Sequence, residues 1–271
     1  MNKNFFSNYD FQETDGFKSL SEQLNVEYNE GPEANKIETS KERFSSYDFD
    51  DIHPLVTPIM GKNSSEDITT DAAEIDWNGT IELTTNVLAQ TPISIEENQT
   101  TTVLLNGRQI TAGKFTENNG NITEGDTDSY VFWVKKGGYL NIDGDGEVRS
   151  DDATYSMAVW AKGGKVDIYG GKYYNSGDGC DLIYASEGAE VNIYGGEFHA
   201  TKRSGEVPGT KNEYSALNLK DNSNSKITVF GGTFYGFNPA NNVSEGPNTN
   251  FVAEGYQSVE IEPNVWQVVS E

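Results

Sequence analysis

Short runs of alternating apolar and polar residues recur along the second half of the chain. Four of them begin at Leu140, Val166, Val191 and Ile227 and read LNIDG, VDIYGG, VNIYGG and ITVFGG. Alternation with a period of two is typical of a β-strand with one buried face, and the glycines that follow permit a sharp corner. The first three runs begin 26 and 25 residues apart, and the fourth begins 36 residues after the third. Such a repeat predicts a solenoid, in which each repeat buries its apolar face against its neighbours.

Each repeat contains two further candidate strands. One follows the glycine corner and carries a large apolar residue, which is Tyr173, Phe198 or Phe234. The other lies upstream, in residues 131–134, 158–161, 182–185 and 216–219. Three short strands and three corners in about 25 residues predict one coil of a single-stranded, right-handed parallel β-helix, in an all-β fold. Coils stacked in register would form three inward ladders: Val166, Val191 and Ile227; Ile168, Ile193 and Val229; and Phe132, Val159, Ile183 and Leu217.

Composition divides the chain into four regions. Residues 1–75 hold six basic and sixteen acidic residues, and we expect an extended N-terminal segment that anchors the chain to another protein, or else a disordered, solvated tail. Residues 76–130 are predicted to form an irregular β cap and the first coils, and residues 131–236 the regular coils with a loop at 201–212. Residues 237–271 are predicted to form a C-terminal cap that ends in a hairpin of Gln257–Glu262 and Val265–Val269. Five aromatic residues are the candidate anchor: Phe5, Phe6, Tyr9, Phe11 and Phe17.

The formal net charge of −24 argues against nucleic acid and anionic membrane surfaces as partners, because both require a basic footprint. Cys180 is the single cysteine, so a disulfide within the chain is excluded. The first residues, MNKNFFSNYDFQETDGF, lack the basic-then-apolar pattern of a secretory signal, and no stretch approaches the length of a membrane span. We therefore expect neither insertion into a membrane nor export through the signal-peptide route. Release by lysis, as for virion components, fits this better.

Acidic groups are the first candidates for chemistry, since a glycosidase needs two carboxylates at a fixed separation. They are Asp143, Asp145 and Glu147; Asp151 and Asp152; and Asp178 and Asp181. These acids lie in turn-like sequences, and the loop that begins at Asp143 lacks the acid that a calcium-binding loop has at its twelfth position. Both observations favour a role in stabilising turns of the backbone. Lys162, Lys165 and Lys172 are not clustered with these acids by sequence, and neither His53 nor His199 has a ligand or triad companion. We predict no catalytic residue, no metal site and no cofactor.

Two columns of aromatic residues occupy outward positions of the predicted coils. One contains Trp133, Trp160 and Tyr184, with Asn218 next in line, and the other contains Tyr169, Tyr194 and Phe230. Such columns stabilise a solenoid, pack against other copies or bind sugar rings. Of these three roles, packing against other copies in a trimer is favoured. Two aromatic faces on a three-sided coil can each contact one of the two neighbours around a three-fold axis.

The C-terminal region carries a resemblance to a known group of proteins. The run GGTFYGFNPANNVSEGPNTNFVAEGY at residues 231–256, followed by a hairpin with a tryptophan, resembles the ending of β-helix proteins in tailed phages of gut Bacteroides-type hosts, including crAss-like phages. The resemblance implies a fibre, spike or capsid-decoration protein of the virion, usually trimeric and bound to the particle by its N-terminal segment. It supplies no catalytic residue.

These observations together predict a non-enzymatic virion protein, a homotrimeric head fibre or capsid decoration bound to a capsid or other virion protein. The alternative is a tail-associated receptor-binding spike that binds or depolymerises host surface polysaccharide. A free carbohydrate-active enzyme fits less well, because the first 75 residues do not have the composition of a globular domain.

Overall fold

The computed structural model describes residues 69–151, 153–175, 181–199 and 216–271. They form an all-β fold of 21 strands with parallel sheets, and they contain one short 3-10 helix at Ala72–Glu74. The first seven strands are β1 (Thr69–Asp71), β2 (Gly79–Glu82), β3 (Asn86–Ala89), β4 (Ile93–Ile95), β5 (Thr100–Leu104), β6 (Gln109–Ala112) and β7 (Phe115–Asn118). The next seven are β8 (Asn121–Lys135), β9 (Tyr139–Asp143), β10 (Glu147–Arg149), β11 (Tyr155–Lys162), β12 (Lys165–Ile168), β13 (Lys172–Tyr174) and β14 (Ile183–Ser186). The last seven are β15 (Glu190–Ile193), β16 (Glu197–His199), β17 (Leu217–Leu219), β18 (Lys226–Val229), β19 (Gly232–Tyr235), β20 (Tyr256–Glu262) and β21 (Val265–Ser270).

Three sheets surround one apolar core. Sheet A has the order β1-β3-β6-β10-β13-β16-β19-β21-β20, sheet B the order β2-β5-β9-β12-β15-β18, and sheet C the order β4-β8-β11-β14-β17, with β7 paired to β8. From β8 to β19 consecutive strands visit sheet C, then B, then A, and then return to C. Each strand from β8 to β16 therefore pairs in parallel with the strand one repeat later, as the sequence pattern predicts.

The predicted ladders are confirmed by the strand register. Val166 pairs with Val191, and Val191 with Ile227, while Phe132, Val159, Ile183 and Leu217 follow one another across sheet C. All of these side chains are buried. On sheet A the rings of Tyr173, Phe198 and Phe234 stack inside the core at centroid distances of 4.9 and 4.7 Å. Apolar burial of this kind is the main favourable term in folding.

The glycine pair that follows β12, β15 and β18 is required by close approach of neighbouring backbones. A Cβ at Gly195 would lie 2.3 Å from the carbonyl oxygen of Tyr169, and one at Gly231 would lie 2.2 Å from that of Tyr194. The second glycine of the corner, Gly196, has a φ of 103°, which other residues rarely adopt. The corner therefore tolerates no side chain at either position.

Both ends of the core are covered by the chain itself. Trp77 packs edge-on against Phe132 at 6.1 Å and donates its indole N–H to the carbonyl of Ala72. At the other end Phe251 joins the core, and β21 pairs antiparallel with both β19 and β20, which confirms the predicted C-terminal hairpin. Covered ends are expected, because an open solenoid exposes unpaired strands and core.

Several predictions concern residues outside the described ranges. The five anchor aromatics at residues 5–17 and the loop at residues 201–212 lie there, as do His53, Asp152, Asp178 and Cys180. Within the described ranges the first strand begins at Thr69, before the boundary predicted at residue 75, and β1 pairs in parallel with β3. Residues 69–75 therefore belong to the β fold.

Candidate functional site

The outer face of sheet B carries a ladder of stacked rings, here called the tyrosine ladder: Tyr169, Tyr194 and Phe230. Each ring follows the last inward residue of its strand, and both centroid separations are 5.0 Å. Tyr169 is 47% exposed and Tyr194 is 42% exposed, while Phe230 meets Tyr256 edge-on at 5.5 Å. Stacking covers both faces of the middle ring, Tyr194, so the exposed surface of this ring consists mainly of ring edges. This ladder is in the predicted outward position.

A polar column runs beside the tyrosine ladder. Asn141, Asp167, Asn192 and Thr228 lie in register on four consecutive strands. Oδ1 of Asp167 accepts a 2.8 Å hydrogen bond from the Asn192 side-chain amide, and Oδ2 accepts one from the hydroxyl of Tyr139. Asp167, Asn192 and Thr228 are buried by their neighbours, although they point away from the core. Asp167 and Asn192 are therefore hydrogen-bonded to each other, while the hydroxyl of Thr228 has no hydrogen-bond partner among the described residues.

Trp133, Trp160 and Tyr184 follow one another in register outside the main core, as predicted, but they do not form an exposed face. All three side chains are buried in a second cluster outside the main core, which we call the aromatic cluster: Phe115, Tyr130, Trp133, Met157, Trp160 and Tyr184. The indoles of Trp133 and Trp160 stack at 5.6 Å as predicted for neighbours in a column. Strand β7 pairs antiparallel with the first part of β8, and this hairpin brings Phe115 against Tyr130 at 4.7 Å.

The hairpin was missed in the sequence although a signal for it exists. Asn119 and Gly120 have φ values of 51° and 89°, as a two-residue type I′ turn requires. An Asn-Gly pair between short alternating runs is a strong hairpin signal. The hairpin lies outside the regular repeat, so the spacing of the repeats contains no information about it.

A second stack lies on the outer face of sheet A, here called the histidine stack: Arg149, Tyr174, His199 and Tyr235. The Arg149 guanidinium lies 4.1 Å from the Tyr174 ring centroid, and His199 stacks between the two tyrosines at 4.5 and 4.1 Å. Burial lowers the pKa of His199, partly opposed by Glu197, whose oxygen lies 3.5 Å from Nε2. His199 therefore has companions that the sequence did not reveal, because they come from neighbouring repeats.

Next to the histidine stack, residues of alternating charge lie in register: Glu147, Lys172 and Glu197. Lys172 is 3.5 Å from Glu197, and Arg149 is 2.9 Å from Glu147. The Glu197 carboxylate is the main cause of the raised pKa of Lys172. Each predicted lysine is thus paired with an acid, since Lys162 lies 3.7 Å from Glu187 and Lys165 lies 3.7 Å from Asp167.

The acids singled out in the sequence do not converge within the described residues. Asp143 and Asp145 are exposed, and Asp143 accepts a hydrogen bond from the backbone of Gly144. Asp151 is partly buried, and Asp181 accepts a 2.7 Å bond from the Asn218 amide. No group of three or more His, Cys, Asp or Glu side chains that could hold a metal ion occurs in the part of the chain that the structure describes. No helix in that part is long and apolar enough to cross a membrane.

Comparison of the chain with protein-family models, with curated proteins and with solved structures finds no match.

Proposed function

We propose that the chain is a non-enzymatic structural protein of a phage particle, built on a single-stranded, right-handed parallel β-helix and assembled as a homotrimer. The order of sheets C, B and A along the chain supports the helix, because one chain that visits three parallel sheets in a fixed order winds as a coil. Crossovers between parallel strands are right-handed in nearly all proteins, which supports the handedness.

The exposed tyrosine ladder is the observation that carries self-association. A patch of large rings on an otherwise polar surface marks an interface, and ring edges pack well against another protein. A sugar ring instead stacks on an open ring face, and both faces of Tyr194 are covered by Tyr169 and Phe230. The geometry therefore favours a protein partner for most of the ladder.

A cyclic trimer needs two different surfaces on each copy, because its contacts are heterologous. The tryptophan column does not supply the second surface, since it is buried. The histidine stack does, because it lies on sheet A, which follows sheet B directly across the glycine corner. We propose that the tyrosine ladder of one copy packs against the histidine stack of the next.

Light scattering tests the assembly. Wild-type protein should have a trimeric mass at micromolar concentration, and the double variant Tyr169→Ser, Tyr194→Ser should dissociate while it keeps its β-sheet circular dichroism. The matched control replaces two exposed apolar residues elsewhere, Val243→Ser and Val259→Ser. A monomeric wild type, or equal dissociation by the control, would contradict the proposed interface.

Attachment to the particle is proposed through residues 1–68, with Phe5, Phe6, Tyr9, Phe11 and Phe17 as anchors. The proposal is supported by the resemblance of residues 231–256 to phage proteins and by the acidic composition of residues 1–75. Deleting residues 1–50 should leave a folded β-rich protein that no longer joins virions. If the truncated protein still joined virions normally, the hypothesis that this segment is the anchor would be wrong.

Two features of the structure favour the second candidate, a receptor-binding spike that binds or cleaves polysaccharide. When the register between β12 and β9 is continued by one residue, Asp143 lies next to Tyr169 on the side away from Tyr194. The ring face of Tyr169 on that side is therefore not covered by another ring. Glu147 and Glu197 are two strands apart, about 10 Å, close to the carboxylate separation in inverting glycosidases, with Lys172 between them. The test is to incubate the protein with host polysaccharide and to measure the release of reducing ends. Release by the wild type that is lost in Glu147→Gln and in Glu197→Gln would support this candidate.

A further inference from the structure

Strand β20 is the last strand of sheet A, and one of its edges is open. Among the described residues β20 pairs only with β21, which in turn pairs with β19. At seven residues it is one of the longer strands of the fold. An edge strand presents a row of unpaired backbone groups, to which another strand can add. The open edge of β20 therefore offers a surface for a partner strand.

The hydrogen bonds of the C-terminal hairpin show which groups face the open edge. The amide of Glu271 donates to the carbonyl of Gly255 at 3.0 Å, and these two residues lie opposite each other when the register of β20 and β21 is continued by one residue. Opposite residues in antiparallel strands alternate between hydrogen-bonded and non-hydrogen-bonded pairs. Ser258 and Glu260 therefore turn their backbone N–H groups away from β21. A partner strand can bond to both without breaking a bond within the chain.

The side chains at this edge are apolar and acidic. Val259 is 40% exposed and Ile261 is 50% exposed, and β-branched residues of this kind pack well against a neighbouring strand. Glu260 and Glu262 alternate with them and are exposed. Neither glutamate forms a salt bridge within the described residues, and residues 227–271 hold five acidic residues and no Lys, Arg or His. This part of the chain therefore supplies no positive charge to complement the two glutamates.

The charges at the edge favour a foreign strand over a second copy of this chain. Pairing of β20 with β20 of another copy would bring Glu260 and Glu262 of both copies together, and like charges on neighbouring strands are destabilising. Charged residues on an edge strand are a common protection against such pairing. The same two acids attract a strand that carries positive charge.

We propose that β20 binds an extended segment of another protein, in which basic and apolar residues alternate, as a further strand of sheet A. The backbone of this segment pairs with Ser258 and Glu260, its apolar residues pack beside Val259 and Ile261, and its basic residues lie near Glu260 and Glu262. Each cross-strand pair of opposite charge contributes up to about fivefold in affinity, and less at high salt. The tyrosine ladder and the histidine stack take no part, so binding at this edge does not require the proposed trimer.

Fluorescence anisotropy of labelled peptides tests the proposal with the full chain. The probes are the basic peptide TKVKVKT, the neutral peptide TQVQVQT and the acidic peptide TEVEVET. At low salt we expect saturable binding of the basic peptide at millimolar concentration or below, about threefold weaker binding of the neutral peptide, and no binding of the acidic one. About 0.5 M salt should reduce the difference between the first two. The double variant Glu260→Gln, Glu262→Gln should bind the basic and neutral peptides equally.

Two changes at one residue separate strand addition from simple attraction between charges. Ser258→Pro removes an outward N–H but no hydrogen bond between β20 and β21, and proline is tolerated at such positions of edge strands. It should abolish binding of the basic peptide. The matched control Ser258→Ala keeps the N–H and should bind as the wild type does, since the Ser258 hydroxyl has no hydrogen-bond partner among the described residues. If Ser258→Pro does not fold, a basic peptide methylated on every backbone nitrogen provides the same test, because it keeps the charge and should not bind.

Hydrogen exchange locates the bound peptide. The basic peptide should protect amides in residues 256–262 and leave those of β12 and β15 unchanged. No binding of the basic peptide at millimolar concentration, equal binding of all three peptides, or equal binding by Ser258→Pro and Ser258→Ala would overturn the proposal. An association of wild-type copies that Ser258→Pro abolishes and Ser258→Ala keeps would also overturn it, because a second copy would then occupy the edge.

Discussion

Removal of one ring from the core of sheet A is the most direct test of the stacked repeats. Phe198 is fully buried between Tyr173 and Phe234, with centroids 4.9 and 4.7 Å away and planes within 12°. Replacing a buried Phe by Ala typically costs 3–5 kcal/mol, and each lost aromatic contact contributes about 0.5–1.5 kcal/mol. The neighbouring strands hold the cavity open from both sides. We therefore expect Phe198→Ala to lower the free energy of unfolding by about 4–5 kcal/mol.

Urea denaturation followed by circular dichroism measures this loss, provided that the slope of the transition stays unchanged. The control is Phe230→Ala, the same change at an outward position that also has two ring neighbours. It loses contacts but leaves no cavity, so we expect about 1–2 kcal/mol. Losses of equal size for the two variants would refute the assignment of Phe198 to the core and Phe230 to the surface.

Two further predictions concern the glycine corner and the histidine stack. Gly195→Ala should cost about 3 kcal/mol, because its Cβ would meet the Tyr169 carbonyl at 2.3 Å. Gly120→Ala, at a φ of 89° with open space around it, should cost only about 1–2 kcal/mol by urea denaturation, and equal losses would contradict the clash. Stability should fall as pH drops below about 6.5, because burial lowers the pKa of His199 and the unfolded chain therefore binds the proton first. His199→Gln should flatten this part of the pH profile relative to the wild type, and an unchanged profile would contradict it.

The inward ladders could be predicted because the information is local. In Val166–Ile168 and Val191–Ile193 the alternation fixes which side chains face inward, and the following glycines fix where the chain turns. Similar repeats then stack in register. The C-terminal hairpin was predictable for the same reason, since Pro263 and Asn264 separate two alternating runs.

The outer surface was harder to predict because its environment comes from distant segments. An outward position in a strand is exposed only if nothing else folds over it. Trp133 is buried in a cluster that includes Phe115 from a hairpin whose own signal, Asn119 and Gly120, lies outside the repeat. In the same way, His199 stacks on residues from the repeats before and after it. Sequence alternation gives the direction of a side chain but not its neighbours across the stack.

The uniform register from β8 to β19 has a consequence for how proteins of this kind change in length. Each repeat contacts the next through the same ladders and the same corner, as between β12 and β15 and between β15 and β18. Duplication or loss of one whole repeat would therefore create no new type of interface. Because strands lie about 4.8 Å apart, the distance between the two covered ends would change in steps of that size. Recombination within a gene could thus change the distance between the two ends, while the structures at both ends remain as they are.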